Sequence, residues 1–115
     1  MFTLRWTDEA ASDYARLKDK AKAAIERRPG KGRRKASRNE GLFKRVHKCV
    51  SLLAENPRHP GLQTHEFHSL EHPFNPKDKV FEAYAQNRTP GAYRVFWCYR
   101  PATSEITIIA ITPHP

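Results

Sequence analysis

The sequence predicts an α+β fold: an N-terminal strand, a two-helix hairpin, and then a three-stranded antiparallel meander, with the helices packed on one face of a mainly antiparallel sheet. Three runs rich in β-branched and aromatic residues occupy the last third, separated by turn-forming clusters: VFEAYAQ from Val80, YRVFWCY from Tyr93 and ITIIAI from Ile106. Two earlier stretches repeat apolar residues every three or four positions, which is typical of helices with one buried face. The expected sheet has four strands.

The N-terminal segment predicts a strand followed at once by a helix. Phe2–Trp6 alternates apolar and polar residues, and this strand must join an edge of the meander to satisfy its backbone groups. Thr7 can cap the helix, and the two acidic residues after it suit the positive end of the helix dipole. Pro29 and Gly30 predict its end. The apolar stripe of this helix comprises Ala10, Tyr14, Leu17, Ala21, Ala24 and Ile25.

A second helix is predicted at Leu42–Ala54, ended by Asn56 and Pro57. One face is basic, with Lys44, Arg45 and Lys48. The opposite, apolar face comprises Leu42, Val46, Cys49, Val50 and Leu53. The proline- and glycine-rich stretch 58–79 is predicted to be mostly loop, although Leu62–Leu70 could hold a short edge strand.

Charge is distributed unevenly along what we predict to be a single domain spanning residues 1–115. The chain has 21 lysines and arginines against 12 acidic residues, a net charge of +9, and the whole excess lies in residues 27–60. Part of it forms a basic insert at about 27–40. Such a focused patch attracts polyanions, so it favours RNA, DNA or the ribosome as a partner. A merely solvated surface or an acidic protein partner are the alternatives.

Other classes of protein are not indicated. Phe2–Trp6 is too short for a signal peptide, and no apolar run approaches the ~18 residues of a membrane span, so we expect a cytoplasmic protein without a membrane partner. Cys49 and Cys98 occupy apolar positions, which favours buried reduced thiols over a disulfide. The histidines of the 65–72 loop lie in an irregular, proline-containing context that argues against a metal site. No cofactor is expected.

One arginine stands among the aromatic residues of the middle strand. Strict alternation places Arg94 on the face opposite Val95 and Trp97. Because desolvating an unpaired guanidinium is very costly, Arg94 should meet either solvent or a carboxylate, and Glu82 on the preceding strand is the nearest candidate. Tyr84, two residues further on, shares the face of Glu82. An arginine in this position is a good candidate for binding phosphate.

Four segments taken in order resemble the RelE/ParE superfamily of toxins from bacterial type II toxin–antitoxin systems: FTLRWTDEAASDY, LLAENPRHPGLQTH, YRVFW and ITIIAITPHP. The resemblance covers nearly the whole chain except the basic insert. The resemblance implies a small toxin that is neutralised by a cognate antitoxin protein, the antitoxin complex also binding operator DNA. RelE-like members cleave mRNA on the ribosome, whereas ParE-like members poison DNA gyrase.

Metal-independent RNA cleavage requires a base, a cation at the phosphate and an acid for the leaving oxygen. We assign Arg94 to the phosphate, His114 to acid or base chemistry, Glu82 to the general base, and Tyr84 to stacking or hydrogen bonding. Contacts to RNA and the ribosome are assigned to basic residues of the insert, the second helix and a later turn: Arg33, Arg34, Lys35, Arg38, Lys44, Arg45, Lys48 and Arg88.

The chain departs from the family pattern at Tyr84, where many relatives carry a second arginine. The sequence therefore favours a ribosome-dependent mRNA endoribonuclease that inhibits translation, and it leaves two alternatives. One is a ParE-like gyrase inhibitor, and the other is a degenerate, non-catalytic member that only binds its antitoxin.

Overall fold

The fold is known from a computed structural model, which describes residues 1–27, 38–87 and 91–113. Within these ranges the chain forms five strands, two helices and one short 3-10 turn. In chain order they are β1 (Thr3–Trp6), α1 (Asp8–Arg27), α2 (Arg38–Glu55), the 3-10 turn (Pro60–Leu62), β2 (His65–Phe67), β3 (Val80–Tyr84), β4 (Tyr93–Tyr99) and β5 (Glu105–Pro113).

The strands form one mixed sheet in the order β1-β5-β4-β3-β2. The four strands β2 to β5 pair antiparallel with their neighbours, and β1 pairs parallel with β5, so that Thr3 lies opposite Glu105. The register between β4 and β5 shifts by one residue between Phe96 and Trp97, as in a β-bulge. The predicted α+β class, the meander and the edge position of the first strand are all confirmed.

The predicted number of strands and the predicted start of the second helix are wrong, while the edge strand left open at Leu62–Leu70 is present. The sheet has five strands instead of four, because His65–Phe67 pairs with β3 as an edge strand in the stretch that the sequence predicts to be mostly loop. Helix α2 begins at Arg38, four residues before the predicted start, with Glu40 in its first turn, where a carboxylate suits the helix dipole. Most of the basic insert, residues 28–37, lies outside the described residues, and with it the predicted contact residues Arg33, Arg34 and Lys35.

Both helices pack on one face of the sheet and enclose the apolar core. Val95 and Trp97 of β4, Ile108 of β5 and Leu53 of α2 are at most 1% exposed. The Thr7 hydroxyl accepts a hydrogen bond from the Ala10 backbone N–H at 3.1 Å, which confirms the predicted cap. The stripe of α2 is buried or half-buried throughout. Ile25, by contrast, is 56% exposed, so the predicted stripe of α1 extends one turn too far.

The opposite face of the sheet, here called the open face, carries neither α1 nor α2, yet much of it is buried. Phe96 and Cys98 are inaccessible there, and Phe67 of β2 packs on Phe96 with ring centroids 4.7 Å apart. The loop before β3 is attached to the end of β4 by His72. Its Nδ1 accepts hydrogen bonds from two backbone N–H groups of the loop, which places its proton on Nε2, 3.2 Å from the Tyr99 carbonyl oxygen. No helix of the described part of the chain is long and apolar enough to cross a membrane.

Candidate functional site

Four chemically active side chains meet on the open face where β2, β3 and β4 lie side by side. Strand pairing sets Tyr84 opposite Arg94 and His65 opposite Glu82. Because alternate residues of β3 share a face, Glu82 and Tyr84 project to the same side. The register therefore produces a compact cluster of one arginine, one glutamate, one tyrosine and one histidine, here called the open-face cluster.

Arg94 is the centre of this cluster and is held by contacts on several sides. Only 8% of the residue is exposed. Its guanidinium carbon lies 3.7 Å from the centroid of the Tyr84 ring, its Nη1 donates to the Gln86 carbonyl oxygen at 2.6 Å, and its Nε lies 3.7 Å from Glu82 Oε2. The expectation that Arg94 meets a carboxylate is met by Glu82. These contacts fix the direction of the guanidinium before any ligand binds.

Glu82 connects the arginine to a histidine. Its side chain is 1% exposed, and its Oε1 lies 2.5 Å from Nε2 of His65, whose own side chain is 46% exposed. The other ring nitrogen of His65, Nδ1, lies 3.2 Å from the Gln63 carbonyl oxygen. Both ring nitrogens thus face oxygen atoms. The His65 ring also meets the Tyr84 ring edge-on, with centroids 5.6 Å apart.

The arrangement can bind an anion and transfer a proton. A buried carboxylate that orients a solvent-accessible histidine is a recurring device for acid–base chemistry. Beside it stand a fixed guanidinium and a phenol, groups that can stabilise or donate to a phosphate oxygen. The carboxylate also balances the positive charge of Arg94 in a buried setting, so part of the cluster is required for folding alone.

A groove of about 730 Å³ runs from α2 to the end of β3 and includes Tyr84 in its wall. Three cations of the α2 face, Lys44, Arg45 and Lys48, line one side of it. The other side is formed by the 3-10 turn and by the residues that follow Tyr84, among them Gln86 and Asn87. This basic groove has the charge and length to hold a polyanionic strand against the edge of the open-face cluster.

The predicted site residues fall into four groups. Arg94, Glu82 and Tyr84 come together in the open-face cluster, and Lys44, Arg45 and Lys48 line the basic groove. Arg38 is the first residue of α2 and is not part of the groove wall. His114 and Arg88 lie outside the described residues, together with the three basic residues of the insert named above.

Two histidines matter more in the structure than the sequence pattern indicates. His65 belongs to the open-face cluster, whereas its sequence context indicates only that a metal site is disfavoured. His59, between the two prolines of NPRHP, accepts a hydrogen bond from the Gly61 backbone N–H at Nδ1, 2.9 Å away, so its Nε2 carries the proton. HEFH contains a single apolar residue, Phe67, and so has no alternating pattern that would predict a strand; the observed pairing with β3 brings His65 beside Glu82.

The remaining candidate chemistry is weaker. Burial raises the pKa of the Cys49 thiol to about 12 and that of Cys98 to about 11, so neither is a ready nucleophile. Both are free and buried. Among the described residues no group of three or more histidine, cysteine or acidic side chains could hold a metal ion.

The order of elements, with two helices on one face of a mixed five-stranded sheet and β1 parallel to β5, is the RelE-like fold of type II toxins. The resemblance seen in the sequence is confirmed at the level of fold. Three solved structures illustrate it. A YoeB/ParE toxin from Agrobacterium tumefaciens matches with a TM-score of 0.60 at 9% sequence identity, covering 98% of this chain and 99% of that one.

Two structures of complexes match as well. The intact Escherichia coli RelBE toxin–antitoxin complex gives a TM-score of 0.53 at 9% identity, over 100% of this chain and 99% of that one. The archaeal RelE–RelB complex from Pyrococcus horikoshii gives 0.51 at 13% identity, over 97% and 93%. No protein-family model and no curated protein sequence matches the chain.

Proposed function

We propose that this protein is the toxin of a type II toxin–antitoxin system and that it cleaves mRNA on the ribosome. The observation that carries the proposal is the position of the open-face cluster at the end of the basic groove, with Tyr84 common to both. A strand bound along the groove by its phosphates would reach Tyr84, with Arg94 and His65 immediately beside it. The RelE-like fold supports the same class of function.

Each residue has a distinct role in the proposed reaction. Lys44, Arg45 and Lys48 neutralise phosphates and hold the strand. Arg94 stabilises charge that develops at the scissile phosphate, and Tyr84 stacks on a base or donates a hydrogen bond. His114, on the segment after β5, remains a candidate acid for the leaving 5′-oxygen.

The burial of Glu82 changes the assignment of the general base. The Glu82 carboxylate is 1% exposed, so it would have to reach a ribose 2′-OH through its neighbours. The His65 side chain, by contrast, is 46% exposed, and its Nε2 lies 2.5 Å from Glu82 Oε1. We therefore assign the proton transfer from the 2′-OH to His65 and give Glu82 the task of orienting that ring. When His65 is neutral, Nε2–H donates to Glu82 and Nδ1 carries the lone pair. Nδ1 therefore takes the proton of the 2′-OH, and Glu82 stabilises the imidazolium that forms.

The partners follow from the same proposal. A cognate antitoxin would bind the toxin, as in the RelBE and RelE–RelB complexes, and operator DNA would be bound through that complex. The ribosome would supply the mRNA and additional phosphates for the basic surface of α2.

Expression in cells tests the proposal directly. The wild-type chain, induced without antitoxin, should arrest growth and produce new 5′ ends within coding regions, detected by primer extension. Arg94→Ala should abolish both, because loss of a single phosphate-stabilising group costs ~100-fold or more in rate. The matched control is Arg5→Ala, which removes an arginine from an ion pair at the far edge of the same sheet.

Folding must be separated from catalysis in this test. Arg94→Ala should still bind the antitoxin and retain the circular dichroism of the wild type. Full toxicity of Arg94→Ala would refute its proposed role. Growth arrest with intact mRNA and inhibited DNA supercoiling would replace the ribonuclease proposal by a gyrase inhibitor, and harmless expression of the wild type would indicate a non-catalytic member.

A further inference from the structure

We infer that a second pocket, next to the basic groove, binds one carbonyl-bearing base of the RNA strand; this inference rests on the proposed function. The pocket has a volume of about 450 Å³, within the range of small-ligand sites. It lies where the segment after α2 crosses the start of β3 and the end of β4. Nothing in the proposed cleavage chemistry uses it.

The floor of the pocket is a group of three aromatic rings that brace one another. Phe81 stacks on Trp97 with centroids 4.9 Å apart and an interplanar angle of 27°. Tyr99 meets the Trp97 ring edge-on at 4.9 Å and the Phe81 ring edge-on at 5.8 Å. Phe81 and Tyr99 remain half-buried, so part of their surface is available to a flat ligand. Bases stack on such aromatic surfaces in single-stranded RNA complexes.

Two buried polar atoms of the pocket residues lack a hydrogen-bond partner within the described ranges. They are the indole Nε1 of Trp97, a residue that is 1% exposed, and the hydroxyl oxygen of Thr64. Buried polar groups nearly always form hydrogen bonds, because a buried donor without an acceptor has lost its hydrogen bond to water and has not replaced it. An indole nitrogen can only donate, so the missing partner of Trp97 is an acceptor.

The rim of the pocket adds further donors. Arg58 presents only N–H groups, and His59 has its proton on Nε2 because its Nδ1 accepts from Gly61. Arg58 and His59 therefore add N–H donors to the indole N–H of Trp97. A base with exposed carbonyl oxygens, namely uracil, cytosine or guanine, suits this set better than adenine, which has no carbonyl group.

The pocket and the basic groove share His59 and Gln63 in their walls, so they adjoin each other at the 3-10 turn. A strand whose phosphates lie against the lysines of α2 can therefore turn one base into the pocket. This continuity with a strongly positive groove favours a nucleotide over an apolar side chain of a protein partner. The pocket would select the identity of one base near the cut.

Nuclear magnetic resonance of the full chain, labelled with ¹⁵N, tests the inference without any need for cleavage. The four nucleoside 5′-monophosphates are titrated separately, and the two indole N–H signals are followed. The Trp97 signal should shift with uridine, cytidine and guanosine monophosphate and much less with adenosine monophosphate. The Trp6 signal should stay in place, because its ring packs against Tyr14 beside the core.

Two variants sharpen the experiment. Thr64→Val keeps the shape but removes the hydroxyl, and it should weaken binding of the preferred nucleotide ~5- to 10-fold, the effect of one lost hydrogen bond. Trp97→Phe keeps an aromatic ring but removes the donor and should reduce the preference for carbonyl-bearing bases. If Trp97→Phe fails to fold, the wild-type titration and Thr64→Val still decide.

The possible failures can be told apart. If the wild type cleaves mRNA but no nucleotide shifts the Trp97 signal, the base pocket is refuted and the proposed function stands. A Trp97 signal that responds to the antitoxin and to no nucleotide also refutes it, since the pocket would then hold a protein side chain. If nucleotides bind at Trp97 but the wild type cleaves no RNA, the cleavage proposal fails on its own evidence.

Discussion

Two arginine–glutamate pairs lie on the same sheet and differ in almost every respect except their chemistry. At the β1–β5 edge, Arg5 Nε lies 2.6 Å from Glu105, with side-chain exposures of 59% and 13%. Between β3 and β4, Arg94 Nε lies 3.7 Å from Glu82, with exposures of 9% and 1%. The shorter pair is the less important one, because water competes with it and screens it. In the longer pair both charges are buried, so removing either one would leave the other without compensation.

The largest effect should come from breaking the buried pair. Arg94→Met leaves the Glu82 carboxylate in a dry site without its arginine, and we expect a loss of about 3 kcal/mol in the free energy of unfolding. Urea denaturation monitored by circular dichroism measures it. A second substitution, Glu82→Met, should recover most of the loss when combined with the first, because no buried charge is then unmatched.

Equal instability of the single and double variants would contradict this ranking, since the damage would then come from lost packing around Tyr84 and not from an unmatched buried charge. Cleavage should be absent in both variants. The double variant therefore also separates the structural importance of the pair from its proposed catalytic importance.

A smaller effect concerns the thiol that lies between the two pairs on the sheet. Cys98 is opposite Thr107, which is opposite Arg5 on the next strand. Burial raises the Cys98 pKa to about 11 and that of Cys49 to about 12. Above pH ~9 the thiols of the unfolded chain ionise, whereas those of the folded chain stay neutral. The two cysteines therefore contribute stability that is fully present below pH ~9 and is lost as the pH rises toward 11 and 12.

Urea midpoints at pH 7, 9 and 10 check this sign. The wild type should lose more stability over this range than a variant with Cys49→Ala and Cys98→Ala, which lacks the linked groups. Native protein at pH 8 should also react with a disulfide reagent more than ~100-fold more slowly than unfolded protein. Rapid labelling of Cys98 in the native state would show that the open face is wetter than its burial indicates.

The smallest effect is expected at the exposed pair. Arg5→Ala should cost less than about 1 kcal/mol, and the difference from wild type should vanish in 1 M salt. Urea denaturation at low and high salt measures both values. A loss comparable to that of Arg94→Met would mean that distance, and not burial, ranks the two pairs.

The sequence was sufficient for the parts of the fold that depend on local pattern. Period-two alternation placed Glu82 and Tyr84 on one face of their strand and Arg94 on the face opposite Val95 and Trp97, and the Thr7 cap with its acidic turn located the start of α1. These features depend on neighbouring residues, so they can be derived from spacing alone.

The parts that the sequence could not supply depend on contacts between distant segments. The pairing of His65 with Glu82 is set by an edge strand of three residues whose register follows from a loop of irregular composition. The unpaired indole of Trp97 can be recognised only when every neighbour is known, because an aromatic residue in a core strand looks the same in sequence whether its N–H is satisfied or not. Alternation determines the face of the strand on which a side chain lies, whereas the residues it contacts depend on tertiary packing.

The parallel pairing of β1 with β5 has a consequence for the order in which the molecule can be completed. Strand β1 has β5 as its one neighbour in the described sheet, and their partners are about a hundred positions apart, as Thr3 and Glu105 show. Closing so long a loop is slow and yields no contact until the last strand is present. During synthesis β1 therefore cannot pair until β5 has been made. The sheet is therefore completed only after residues 105–113 have been made.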